Sequence, residues 1–464
     1  MLACSLGGID VEGYVDDKHE RRAQEHSELR ATCTDERTAG TLIGAKPQAS
    51  IVEDFARYVS PGRVEVYRSL GFDAVPGKRE GVYVWDLSGR RYINCRSSGG
   101  VFNLGHRPPA VVNALKAALD VLDIGDHMLL SEHRARLAAR LAELTPGDIT
   151  YSFFTPSGGE ACDVAIKLAR GYTGRAGIVS AVDGYHGHTG FALSAGDARF
   201  KRHFEPLMPG FTQVPFGDID AVERAVDETT AAVIFETIPA TAGIVIPPDD
   251  FYPAVREICD SKGALLILDE VQAGLGRTGR LWAIDEWGVV PDILVLGKGM
   301  SGGIYPLSAV CYREHVDEFF KRNPFVHLTS FGGADLGCVC ALAMLDEICR
   351  PGFLDHVEEM GVRFERGFAR LKEKHRETVA GWRRRGLMMA FELADDTLGP
   401  MMTYALGKNG VIAVFSDFRP RAMQIMPPLI IQPPEVDEVL EAMDQALDLV
   451  ESMVAAGAPA PYIP

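Results

Sequence analysis

The sequence is short of the features that would mark a secreted scaffold. Its nine cysteines, an odd number scattered from Cys4 to Cys349, show no framework spacing. Reduced thiols and a cytoplasmic setting are therefore expected. Cys338 and Cys340 form a C-x-C with no second Cys or His pair nearby, which points to a buried structural pair rather than a metal site. No uncharged apolar run approaches the roughly 18 residues of a membrane span. The N-terminus, MLACSLGGID, lacks a basic n-region, and a signal peptide is not expected. Positive charge is also scarce. Lys and Arg number 47 against 64 Asp and Glu, a formal charge of -17, which argues against nucleic acid or anionic lipid as the main partner. There is no internal repeat and no low-complexity linker.

What the chain does have is an ordinary soluble composition, with 47% hydrophobic and 24% charged residues, and enough length for two to three domains. Residues 1–48 are rich in charge and in Gly, Thr and Ser, and form a peripheral extension in which DDKHERRAQEHSELR could make a solvated helix. Residues 49–104 form a segment that contributes to a smaller domain; within it VYVWDLSGRRYIN reads as two strands around a Ser-Gly turn. Over 105–335, apolar runs recur: GIVSAV (177–182), AAVIF (231–235), ALLIL (264–268), DILVL (292–296) and PLSAV (306–310). Helix-period segments such as Asp250–Lys262 lie between several of them. Runs of this length suit strands buried on both faces of a mostly parallel sheet in an α/β domain. Residues 336–464 read as a smaller α+β domain, with helices to Cys349, over Leu354–His375 and from Pro434 to about Ala455.

Three segments carry chemistry. Ser157-Gly158-Gly159-Glu160 has a capping-box pattern ahead of an apolar helix face. Glycines in a first helical turn let backbone N–H groups approach an anion, so this is a phosphate seat or a plain capped helix. Asp269, in LLILDEVQ, sits at a strand's carboxyl end, where it could serve a ligand, a helix cap or a metal. Lys298, in ILVLGKGMSGG, sits at the end of the next strand between two glycines. Alone it would be a solvated loop lysine; in apolar surroundings its amine would be neutral and nucleophilic. Gly274-Leu275-Gly276-Arg277-Thr278-Gly279 matches G-x-G-x-x-G, but DEVQA separates it from its strand and no helix opens after it, so a dinucleotide site is not expected. His186-Gly187-His188 has no third ligand at metal spacing in the sequence. A phosphate seat, a strand-end acid and a strand-end lysine on one sheet meet the needs of pyridoxal 5'-phosphate, which wants an anchor, a carboxylate for its ring nitrogen and an amine for its aldehyde. Tyr185 could stack on the ring.

From about residue 52 to 450 the chain resembles the class III (ω-) aminotransferases of PLP fold type I. FFTPSGGEACDVAIKLAR, GYHGHTG, LLILDEVQAGLGRTGR, PDILVLGKGMSGG and HLTSFGG carry the resemblance in order and spacing. RYVSPGRVEVYR, FNLGHR, LTPGDITYSFF and NPFVHLTSFGG are similar to putrescine (diamine) aminotransferases in particular. The resemblance implies a large domain built on a sheet of the seven-stranded type. It implies that Lys298 holds the cofactor as a Schiff base and then moves the 1,3 proton. Asp269 would pair with the pyridinium nitrogen, Gln272 with the phenolic oxygen, and Tyr185 and Val271 would cover the two ring faces. Ser157, Gly158 and Gly159 would seat the phosphate, with His186 and Glu236 close to the cofactor. Thr329 and Ser330 would reach the phosphate of a neighbouring subunit, implying a homodimer with shared active sites, or a tetramer of such dimers.

The substrate side departs from the family pattern. Gln424, in MQIMPPL, stands where a carboxylate-binding arginine is usual, Thr241 where many members have the glutamate that pairs with it, and Gly99 where some have an aromatic gate. An amide cannot give a 2-oxo acid the bidentate, charge-assisted pair that arginine gives, a loss of about two orders of magnitude in binding. Arg96, Arg419 and Arg421 are candidate substitutes, although each reads more readily as a surface charge. Transfer from a primary amine, diamine-like, to a 2-oxo acid is the leading expectation. The alternative is a lyase of the same family that eliminates ammonia or a β-leaving group from an aminoalkyl phosphate or phosphonate.

Overall fold

The computed structural model describes residues 46–461; the charged tract expected as a helix over 16–30 lies outside them. Strands are numbered in chain order. Pro76–Glu80 (β1), Tyr83–Asp86 (β2) and Arg91–Asn94 (β3) form an antiparallel meander, β2 and β3 flanking the expected Ser-Gly turn. The seven strands of the largest sheet follow: Ile149–Thr155 (β4), Gly177–Ala181 (β5), Phe211–Val214 (β6), Thr230–Glu236 (β7), Leu265–Asp269 (β8), Ile293–Leu296 (β9) and Ser308–Arg313 (β10). Their spatial order is β4-β10-β9-β8-β7-β5-β6. Only β10 runs against its neighbours β4 and β9; β9, β8, β7, β5 and β6 pair in parallel. Five of the seven follow the apolar runs. The run PLSAV is the antiparallel strand, and β4 and β6 carry more polar, half-exposed sequences that no apolar run announces.

The apolar runs are continuous because both faces are covered. Side chains alternate along a strand, so Val233, Phe235, Leu266, Leu268, Leu294 and Leu296 join one core. Their neighbours Ala232, Ile234, Leu265, Ile267, Ile293 and Val295 join another, across the sheet. The first core is completed by helices Glu132–Leu144, Phe251–Lys262 and Asp335–Ile348, the last of which buries Cys338 and Cys340. The second is completed by helix Gly158–Thr173, whose Ala161, Ala165, Leu168 and Ala169 lie flat on the strands. Among the described residues every cysteine is unpaired.

A second sheet contains Val379–Arg385 (β11), Met388–Leu393 (β12), Val414–Ser416 (β14) and Arg419–Ile425 (β15), all antiparallel in the order β11-β12-β15-β14. Helices Phe353–Lys374, Leu398–Lys408 and Pro433–Ala455 pack with it around a separate core. Val411–Ile412 (β13) pairs in parallel with β3 and so joins the first meander to the late part of the chain. Among the described residues no helix is long and apolar enough to cross a membrane.

The G-x-G-x-x-G segment is a compact turn rather than a phosphate loop. Leu275, Gly276 and Gly279 take left-handed backbone angles, with φ of 58°, 84° and 80°. The turn buries Arg277 completely. Its guanidinium donates to Asn103 Oδ1 at 2.7 Å, Pro427 O at 2.6 Å and Leu387 O at 3.2 Å. Three chain segments thus meet on one cation that has no carboxylate partner among the described residues, and burial pushes its pKa down. Arg277→Met is expected to strand those acceptors and to lower unfolding free energy by about 3 kcal/mol or more. Urea unfolding of the cofactor-free protein measures it, and an unchanged midpoint contradicts the fastening role.

Candidate active site

The parallel strands end at one edge of the sheet, where open α/β sheets place ligands. The register pairs Glu236, the last residue of β7, directly with Asp269, the last of β8. Lys298 follows β9 by one glycine and sits at φ 45°. A left-handed non-glycine residue is locally strained, and such strain gathers at functional sites. The Lys298 amine donates to Gln272 Oε1 at 2.8 Å. Burial pushes this amine below its ordinary range; the Asp269 and Glu236 carboxylates oppose that, and the Arg96 cation adds to it.

Asp269 is held on both oxygens. Oδ1 accepts from Val271 N at 3.0 Å, while Oδ2 accepts from His186 Nδ1 at 2.8 Å and from the Cys162 thiol at 3.4 Å. Burial is the largest single influence on His186 and works against its charge, but the Asp269 hydrogen bond and the Asp269 and Glu236 charges together outweigh it and raise the imidazole above its usual value. The Cys162 thiol is pushed well up by burial and by Asp269, so it stays protonated and donates. The fold thus brings a thiol and a carboxylate to His186, a grouping invisible in the sequence. Their bonds to one another, and a protonated thiol, suit second-tier support of Asp269 better than metal ligation. His188 is elsewhere, edge-on to Tyr185 at 5.3 Å and to Phe200 at 5.5 Å.

Tyr185 N donates to Glu236 Oε1 at 3.0 Å. Burial pushes the Glu236 carboxyl up to about 7; His186 opposes this and Asp269 adds to it. Ser157 caps helix Gly158–Thr173 by accepting from Glu160 N at 3.4 Å, one half of the expected box. A Cβ on Gly158 would come within 3.0 Å of Val271, and one on Gly159 within 3.2 Å of Thr189. Only glycine permits that helix end to lie so close to the segment after Asp269. A Cβ on Gly99 would lie 3.4 Å from both Lys298 Cε and Gln272 Nε2, which puts this residue on the wall beside the lysine. Thr329 and Ser330 do not join the group. They lie on the surface stretch 325–331, where Ser330 O meets His127 Nε2 at 2.5 Å.

On the substrate side the arginine candidates separate. Gln424 is buried, and its Nε2 donates to Ala240 O and Ser416 Oγ, both at 3.2 Å. Both of its N–H groups are therefore used. The Thr241 hydroxyl is buried without a partner. Arg419 and Arg421 are tied, with Arg383, to Glu392. Arg96 differs from the expectation of a surface charge. It lies in the loop whose Gly99 touches Lys298, and its charge acts on Lys298 and Tyr185. Sequence reading passed over Cys162 and Asn103 entirely. Arg96 was one of three candidate arginines there, with nothing in the spacing to separate it from Arg419 and Arg421.

An amine and a supported carboxylate at adjacent strand tips, with a glycine-opened helix end beside them, are the groups that a pyridoxal-phosphate site of fold type I requires. The observed groups fit the cofactor: the amine is buried, the carboxylate is fixed by three donors, and the first N–H groups of a helix have no intrahelical acceptor. The family described as Aminotransferase class-III matches residues 68–447, and the chain belongs to it. An uncharacterized aminotransferase of Archaeoglobus fulgidus is 50% identical over 408 residues, covering 88% of this chain and 96% of that one. A thermostable (S)-enantioselective ω-transaminase from Thermomicrobium roseum superposes with a TM-score of 0.81 at 31% identity, covering 88% of this chain and 100% of that one. The ornithine aminotransferase of Toxoplasma gondii crystallized with oxidized glutathione, in which PLP partly occupies the active site, gives 0.80 at 27% identity, covering 96% and 99%. This chain shares their fold and their cofactor chemistry.

The raised Glu236 carboxyl has a pH consequence. Its folded value, about 7, lies above the ordinary 4.5, so the folded state binds that proton more tightly. Stability then falls as pH rises from 4.5 through 7, and the cost is fully present above 7. Glu236→Gln removes it. In the cofactor-free protein the variant's melting temperature, relative to the parent's, is expected to be higher at pH 8 than at pH 5; an equal offset at both contradicts the shift.

Proposed function

We propose that the enzyme moves an amino group from a primary amine, diamine-like, to a 2-oxo acid. The observation that carries this reading is the buried Lys298 amine, hydrogen-bonded to Gln272 and under the influence of the Asp269 carboxylate. Pyridoxal phosphate, when bound, supplies an aldehyde that captures the amino group and a ring that spreads the resulting negative charge. Lys298 would hold the cofactor covalently and, once released by substrate, carry the proton between the substrate carbon and the cofactor carbon. Asp269, steadied by His186 and Cys162, would keep the ring nitrogen protonated. Gln272 would bond the phenolic oxygen, and Tyr185 and Val271 would enclose the ring, with Glu236 beside it. Ser157, Gly158 and Gly159 would seat the phosphate at the helix N-terminus, where the dipole favours an anion.

The diamine preference draws on the phrases shared with putrescine aminotransferases and on the substrate wall. A donor without a carboxylate does not need an arginine at position 424, and Gly99 leaves room for a flexible chain. The elimination alternative gains no support from the relatives, which are aminotransferases. The two are separated by mixing the holoenzyme with a simple diamine and no oxo acid. Transfer predicts one equivalent of aldehyde per site and then a halt, reversed by adding pyruvate. Sustained carbonyl release without pyruvate would favour elimination. Lys298→Ala should lower turnover by about a thousandfold or more.

We also propose a homodimer, in which the partner subunit's Thr329 and Ser330 reach the phosphate. In the single chain Met128, Leu129 and Leu130 are exposed, as are Phe325, Val326, Leu328 and Phe331, and the His127–Ser330 contact joins the two stretches. A patch of this kind marks an interface. Leu130→Asp is expected to shift the sedimentation coefficient towards the monomer and to weaken cofactor retention; an unaltered dimer would remove this face from the interface.

A further inference from the structure

We propose that Arg96 receives the carboxylate of the 2-oxo acid, the duty that Gln424 cannot perform. The inference rests on the aminotransferase reading and names the residue that completes it. The acceptor is an anion, and the site needs a cation with N–H groups to spare. Gln424 has none: both are spent on Ala240 and Ser416, and the oxygen that is left would repel a carboxylate. Arg383, Arg419 and Arg421 share Glu392, and Arg383 also donates to the carbonyls of Gly243 and Ile244. Arg277 is closed off by Asn103 and two carbonyls.

Arg96 is the exception in this neighbourhood. Its backbone N–H bonds to Asn94 Oδ1 and its carbonyl accepts from Gly99 N at 2.8 Å, which fixes the loop. Its guanidinium forms no hydrogen bond and no ion pair among the described residues. Burial is the main influence on it, yet the residue keeps partial exposure to solvent. In the same loop a Cβ built on Gly99 would lie 3.4 Å from Lys298 Cε, so Arg96 belongs to the backbone turn that borders the lysine. A crowded, undercommitted cation is costly unless an anion joins it, and here the anion would be the substrate. Asp417, exposed on the loop before β15, acts on both Arg96 and Tyr185 from a distance. It offsets the arginine when a cationic donor occupies the pocket instead.

The test compares two acceptors on one enzyme. Holoenzyme is first aminated with a diamine, then discharged with pyruvate, which carries a carboxylate, or with butanal, which does not. Arg96→Gln is expected to lower kcat/KM for pyruvate about 100-fold more than for butanal. Arg96→Lys should recover part of the difference. Equal losses with both acceptors, or no loss, overturn the proposal. Failure of the parent enzyme to be aminated, or to be discharged by either acceptor, overturns the aminotransferase reading itself. Should Arg96→Gln not fold, propanoate titrated calorimetrically into parent and Arg96→Lys holoenzymes decides. Binding about tenfold weaker in the variant supports the assignment, and equal binding overturns it.

Discussion

The register between β7, β8 and β9 is the constraint on which the site depends. A slip of one residue in β8 would turn Leu266 and Leu268 from one core into the other and carry Asp269 away from Glu236. Because both faces of the sheet are packed, that slip would expose or bury the wrong side chain at every position. The hydrophobic cores therefore fix the catalytic geometry. Acid and amine are delivered to one edge by strands whose own side chains have no part in the chemistry.

Around that edge, burial sets the protonation states. It drives the Lys298 amine down and the Glu236 carboxyl up, each towards its neutral form, while His186 is raised because its bond to Asp269 and the Asp269 and Glu236 charges together outweigh its own desolvation. The opposed shifts come from which groups have hydrogen-bonded partners and which do not. Asp269, with three donors on its two oxygens, is the best-supported charge of the group.

Much of this was legible in the sequence, because continuous apolar runs report strands buried on both faces and the glycines around Lys298 and after Ser157 report close approach. What escaped was set by tertiary contact. β4 and β6 are half-exposed and so carry no apolar run. Cys162 reads as one more core residue of its helix, and only the fold sets its thiol against Asp269. The guanidinium of Arg96 is distinguished by having no hydrogen-bond or ion-pair partner among the described residues, and sequence spacing cannot show a missing partner. The Glu392 cluster had the opposite effect: Arg419 and Arg421 looked equivalent to Arg96 until their shared carboxylate was located.

The short parallel pairing of β13 with β3 joins the beginning of the described chain to a segment near its end. During synthesis the early meander leaves the ribosome with the outer edge of β3 unpaired, and it must wait for almost the whole polypeptide before that edge is covered. Such a long closure slows assembly and leaves an unpaired strand open to wrong neighbours in the meantime. The brevity of β13 and the exposed, charged residues of β1 limit that hazard for the nascent chain.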